Sequence, residues 1–143
     1  MTPGTLDQRR RSGALIWVLR LLGAALLLAV AAIHLYLWRQ GYDGIDVIGP
    51  AFLMQAVLGA GGAGLLLITP SRWLHRVAVL DWLFAAGSLG ALLVATTVGL
   101  FGFVETTTAT LWWETFWVET AAIVVLAVLF LVARGRHADR RDR

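Results

Sequence analysis

The chain has 143 residues, 59 % hydrophobic and 15 % charged, well under the ~25 % charge of a soluble domain. This excludes an ordinary water-soluble fold and leaves no room for a second domain. Cysteine is absent, which removes disulfides, thiolate metal centres and CxxC redox chemistry. The net charge is +3 and all twelve basic residues are arginine. Because the arginines flank apolar runs, anionic lipid headgroups are the expected partner and nucleic acid is not.

The apolar runs are four. In chain order they cover about residues 14–38, 47–68, 77–103 and 111–133, and each exceeds the ~20 residues needed to cross a ~30 Å hydrocarbon core. The expected fold is all-α: a polytopic membrane protein built as an antiparallel four-helix transmembrane bundle, a single domain spanning residues 1–143. Gly49-Pro50 places proline in the first turn of the second helix, where its missing N–H costs nothing, and Thr69-Pro70-Ser71 stops that helix.

Ten of the twelve arginines lie in the N-terminal segment, the second loop and the C-terminal tail, against Arg39 alone on the other side and Arg20 within the first span. The positive-inside rule then places both termini in the cytoplasm of a multi-pass protein of the cell membrane. Tryptophans read as an aromatic belt, with Trp17, Trp73 and Trp82 near the inner face and Trp38, Trp112, Trp113 and Trp117 near the outer. A rival reading treats Arg9 to Arg20 as an n-region, Leu21 to Leu28 as an h-region and Ala29-Val30-Ala31 as a cleavage site. The apolar run continues past that site to Trp38, which favours an uncleaved helix.

Polar and small residues recur at spacings of three and four, and these stripes are the expected contact faces. The first span carries Arg20, Ala24, Leu27, Ala31, His34 and Trp38. The second carries Gln55, Gly59, Gly62 and Leu66, and the third Asp81, Ala85, Ser88, Leu92, Ala95, Gly99 and Gly102. The fourth shows no equally clear stripe. The run from Gly59 to Gly64 matches GxGxxG as letters, but it lacks the preceding strand of a dinucleotide site, so close helix packing is the expected role.

Ionisable groups inside a membrane are costly and are functional hypotheses by default. Arg20 and Asp81 sit at similar depth near the inner ends of their helices and are expected to form a structural ion pair, the alternative being that each snorkels to the interface. In the outer half, His34, Gln55, Thr96, Thr97 and Glu119 fall in one layer, with Glu114 shallower. Glu114 and Glu119 are about 140° apart around their helix and do not share a face. His34 and Glu119 offer proton exchange near neutral pH; Glu119 with Gln55 and the threonines offers a hold on a cation or a polar ligand head. Asp43, Asp46 and Glu105 make the entrance acidic. The competing reading is interhelical hydrogen bonding alone. No metal or cofactor is identified: His34 is the sole histidine in a span, His75 lies in a loop and His137 in the tail. Ser88 is the sole serine in a span and has no base beside it in sequence.

The stretch His34-Leu35-Tyr36-Leu37-Trp38, then Gly41-Tyr42, Ile45, and Ile48-Gly49-Pro50 followed by Phe52-Leu53, resembles a signature in uncharacterised small four-span membrane proteins of high-GC Gram-positive bacteria. The resemblance covers roughly the first half of the chain. Asp46-Val47 stands where that pattern has proline and threonine, which alters the loop turn. It implies the four-helix membrane fold with His34 inside the shared motif, and no activity. Three functions remain open: a non-enzymatic accessory protein with a membrane-protein partner or a second copy of itself, a proton- or cation-coupled binding or transport protein using the outer layer, and a quinone- or haem-associated oxidoreductase subunit.

Overall fold

A computed structural model describes the backbone of residues 3–138 and the side chains of residues 13–136. Four helices follow one another: α1 (Pro3–Arg39), α2 (Ile48–Ile68), α3 (Leu74–Thr97) and α4 (Trp112–Ala138), with a 3-10 turn at Tyr42–Gly44. Each contains a stretch long and apolar enough to cross a membrane. The chain runs up and down as a four-helix bundle. The start of α1, the end of α4 and the α2–α3 connection therefore lie on one side, the tail side, and the other two connections on the far side. Helix α1 packs against α2 and α4, and α3 packs against α4, while α2 and α3 meet only sparsely. A seam is thus left between α2 and α3.

The three- and four-residue stripes turn inward. On α1, Arg20, Ala24, Leu27, Ala31 and His34 are buried; on α3, Asp81, Ala85, Ser88 and Ala95. Glycine permits a close approach of α1 to α2: a Cβ at Gly59 would stand 3.0 Å from the Leu27 carbonyl oxygen. Gly61 and Gly64 of the same run meet nothing, so only part of the glycine run serves packing within the bundle.

Helix α4 corrects the expectation that it lacks a stripe. Trp112, Thr115, Glu119, Ala122, Leu126, Leu129 and Ala133 are all buried, at a three-four alternation. Residues of every size and polarity compose it, so a search for small residues misses it. Trp112 is correspondingly a buried residue and not part of an exposed belt, whereas Trp17, Trp113 and Trp117 are more than half exposed.

Helix α3 is shorter than expected, ending at Thr97 and not at residue 103. Gly99 adopts φ 85°, a left-handed conformation that stops a helix at little cost only for glycine. The N–H groups of Val98 and Gly99 both reach the Val94 carbonyl at 3.0 Å. Beyond it Leu100 and Phe103 exchange backbone hydrogen bonds of 2.7 and 2.9 Å around Phe101 (φ 51°) and Gly102 (φ 81°), a tight turn with both central residues left-handed. Gly99 and Gly102 therefore shape a loop and do not extend a helix stripe.

On the tail side the expected Arg20–Asp81 pair does not form. The Arg20 guanidinium donates to the carbonyls of Thr69 at 2.6 Å and Leu67 at 3.4 Å, and lies 5.0 Å from the Trp17 ring. Pro70 explains the choice. Its ring forces Thr69 into extended backbone (φ −67°, ψ 130°), as expected before proline, and the last carbonyls of α2 lose their helical partners. A cation at a helix C-terminus also meets the negative end of the helix dipole. Asp81 lies against α2 instead: its Oδ1 occupies the space that a Cβ on Gly62 would fill, and its Oδ2 is buried without a hydrogen-bond partner.

Candidate functional site

In the far-side half of the bundle a hydrogen-bonded chain crosses three helices. Gln55 Nε2 of α2 donates to Ser88 Oγ of α3 at 2.8 Å, and Ser88 Oγ donates to Glu119 Oε1 of α4 at 2.5 Å. With the serine proton committed to the carboxyl group and the amide committed to the serine, every donor in the chain points toward Glu119. Glu119 is 0 % exposed, yet its second oxygen, Oε2, has no partner. An unpaired charge in such a place is very costly, so Oε2 calls for a proton or for a donor or cation brought by a ligand.

Glu119 and His34 line one cavity of about 100 Å³, together with Gln55, Ser88 and an apolar wall that includes Leu37, Phe52, Ala91, Leu92 and Trp112. His34 is buried. Its Nδ1 lies 2.9 Å from the Val30 carbonyl; a carbonyl only accepts, so Nδ1 carries the hydrogen and Nε2 is left as the nitrogen for other chemistry. The ring leans on Phe52 at 5.0 Å between centroids.

The far-side loops close over this cavity. Tyr42 stacks on Phe52 (4.7 Å, 24°), meets Phe103 edge-on (5.9 Å) and donates its hydroxyl to Glu105 Oε2 at 2.8 Å. Burial pushes the Tyr42 hydroxyl above its ordinary pKa, and the hydrogen bond and negative charge of Glu105 add to the rise. The Glu105 N–H returns to the Ala95 carbonyl at 3.0 Å, and Trp112 Nε1 donates to Thr96 Oγ1 at 3.0 Å. The lid is therefore tied to α2 by rings and to α3 by hydrogen bonds.

The α1–α2 connection seats that lid under strain. Val47 has φ 65° and ψ −43°, with Ile48 N donating to the Asp46 carbonyl at 2.7 Å. This is a γ-turn of the strained hand, unfavourable for a β-branched residue. Directly after it, a Cβ on Gly49 would stand 2.7 Å from the Asp43 carbonyl oxygen and 2.8 Å from that of Tyr42. The absence of a side chain at Gly49 is what lets α2 carry Tyr42 close enough to stack on Phe52.

Of the residues expected from sequence, the cavity brings together His34, Gln55 and Glu119. Thr96 and Thr97 lie outside it. Thr97 bonds to the Leu93 carbonyl at 2.7 Å and is exposed, and Thr96 bonds to the Leu92 carbonyl and holds Trp112. Glu114 is exposed on the opposite face of α4. Ser88 was visible in sequence as a stripe residue but not as the link between Gln55 and Glu119, because its partners are 33 and 31 residues away. Sequence places Glu105 in an acidic entrance and Tyr42 in the resemblance motif, but it does not show their contact, which spans 63 residues. Among the described residues no group of three or more His, Asp or Glu side chains converges as a metal site would require.

Comparison with protein-family models, curated proteins and solved structures finds no match to this chain.

Proposed function

We propose that this integral membrane protein is a binding protein for a small amphiphile whose head donates a hydrogen bond, such as an amine or a hydroxyl group. The observation that carries the reading is Glu119: a fully buried residue that lines a cavity, one carboxyl oxygen bonded by Ser88, which Gln55 bonds in turn, and the other buried without a hydrogen-bond partner. His34 Nε2, left without a hydrogen by the bond at Nδ1 when the ring is neutral, supplies a second acceptor on the same cavity. The apolar and aromatic wall suits a hydrocarbon body. An amine would bind as the cation that Glu119 lacks; a hydroxyl would bind with Glu119 protonated. Binding of the first kind releases a proton and couples occupancy to pH.

The orientation belongs to the same proposal. Arginine asymmetry supports a cytoplasmic tail side, with anionic lipid headgroups beside those arginines, and a cavity in the outer leaflet of the cell membrane. A melting curve of the purified protein in detergent tests the binding reading. Dodecylamine should raise the melting temperature of the wild type and leave Glu119→Gln unmoved, and dodecanol should raise that of the wild type and leave Glu119→Leu unmoved. A rise with a short-chain benzoquinone instead, whose carbonyls only accept, would move the reading to a quinone-associated subunit.

A second reading, an accessory protein docking to another membrane helix, is favoured by Gly61 and Gly64, which are exposed on α2 with open space above them. Small residues facing lipid allow close helix approach. Co-purification of a stoichiometric partner, lost on Gly61→Leu and Gly64→Leu, distinguishes it.

A further inference from the structure

We infer that the ligand of Glu119 reaches it sideways from the bilayer, through the seam between α2 and α3, and not from water through the far-side loops; this rests on the binding reading above. Four observations carry it.

The first is the packing order. Helices α2 and α3 meet only sparsely while every other neighbouring pair is well packed. The cavity lies at that seam: Ala51, Phe52 and Gln55 of α2 face Ala91 and Leu92 of α3, all five only half-buried. Across it the hydrogen bond from Gln55 to Ser88 is the polar tie. Helix separation there breaks few contacts, and lipid offers no hydrophobic drive to keep the helices together.

The second is the contrast with the lid. The loop over the cavity is tied by the Tyr42–Glu105 bond, the Glu105–Ala95 backbone bond, the Trp112–Thr96 bond and the Tyr42–Phe52 stack. Opening it costs all of these together.

The third is where the lid lies. Val98, Phe101 and Val104 point outward at 81, 74 and 63 % exposure. A loop in water does not hold three such side chains out, whereas one lying in the membrane interface does so at a gain. The nearby exposed Trp113 and Trp117 mark the same level. Even the roof of the cavity faces lipid.

The fourth is size. A volume of about 100 Å³ holds a headgroup and a few carbons, since a comparable cavity of ~150 Å³ accommodates a benzene ring. The tail of an amphiphile has to leave the cavity, and the seam lets it leave into hydrocarbon. The ligand class is thereby narrowed to bilayer-dissolved single-chain amphiphiles.

Carbodiimides test the route without knowledge of the natural ligand. They add to a protonated carboxyl group: its oxygen bonds to the central carbon and its proton passes to a nitrogen. Liposomes holding the protein are treated with dicyclohexylcarbodiimide, which dissolves in the bilayer, or with its quaternary trimethylammoniopropyl analogue, which stays in water; modified residues are then identified by mass spectrometry. The expected result is labelling of Glu119 by the first reagent and loss of that labelling with the second, which instead modifies exposed Glu114. Ala91→Trp, which fills the seam, should suppress labelling of Glu119 while Glu114 reacts as before and the variant keeps a cooperative melting transition at the wild-type temperature, showing a folded protein. Equal labelling of Glu119 by the water-confined reagent, or undiminished labelling in Ala91→Trp, overturns the lateral route and leaves the binding site standing. Failure of both reagents at Glu119 overturns the accessible site itself, and the route with it.

Discussion

Ser88 Oγ donates a hydrogen bond to Glu119 Oε1 at 2.5 Å, while Glu119 Oε2 in the same carboxyl group is buried without a hydrogen-bond partner. One oxygen is fixed by the fold and the other is left without a hydrogen bond. A purely structural interhelical bond gains nothing from that asymmetry, since a second donor on α1 or α2 would offset the desolvation of Oε2. The two halves of the carboxyl group therefore predict different consequences when altered.

Ser88→Ala removes the bridge and strands the Gln55 amide and Glu119 Oε1 together. An unsatisfied buried polar group costs about 1–3 kcal/mol, so unfolding in mixed detergent should occur at markedly lower denaturant. Glu119→Gln keeps shape and an acceptor for Ser88, and should unfold at or above the wild-type midpoint while binding of the amine is lost. Destabilisation by Glu119→Gln equal to that of Ser88→Ala would make Glu119 a packing element.

Tyr42 makes the lid sensitive to alkali. Its hydroxyl is held above the ordinary value of 10.0 by burial, and then by the bond and charge of Glu105. The closed lid thus favours the neutral phenol. Its contribution is complete below about pH 10 and declines as pH rises, because the unlatched form loses the proton first. In a Tyr36→Phe background Tyr42 is the one tyrosine left of the two. Absorbance near 295 nm should then report ionisation well above the normal range. Glu105→Gln should bring it down, burial still holding it above normal.

Arg20 and Asp81 should behave independently. Arg20→Leu frees the Thr69 and Leu67 carbonyls and is expected to cost about 1.5–3 kcal/mol, as for other bonds to charged groups. Asp81→Asn breaks no bond of Oδ2 and should be tolerated. The double mutant should show a coupling energy near zero, and reversing both charges should give no rescue. Strong positive coupling would restore the ion pair.

Gly49→Ala places a methyl group against the Tyr42 and Asp43 carbonyls. The 3-10 turn has to move, and the Tyr42–Phe52 stack with it. Melting should fall, and ionisation of Tyr42 should shift back toward the normal range in the same variant. At the neighbouring position, Val47→Gly relieves a strained φ of 65° and should stabilise by about 1 kcal/mol or more. The opposite signs of two substitutions only two residues apart are the check on this reading of the loop.

Sequence by itself determined that there are four spans, the all-α class and most of the inward faces of α1, α2 and α3, because hydrophobic length and helical period are local properties written in consecutive residues. It also named His34, Gln55 and Glu119 as buried polar groups to consider. Depth was legible because rise per residue is constant. Partners were not. Arg20 and Asp81 share a depth, but the break at Pro70 offers Arg20 free carbonyls, which depth alone does not show. Ser88 joins Gln55 to Glu119 only through the rotation of three helices about their axes, which is decided by packing. Residues 98–103 continue an apolar run and read as helix, until Gly99 and Gly102 turn them into a lid that returns to Ala95 and Tyr42. The tertiary structure alone closed the cavity, left one Glu119 oxygen without a hydrogen-bond partner beside it, and opened the seam between α2 and α3.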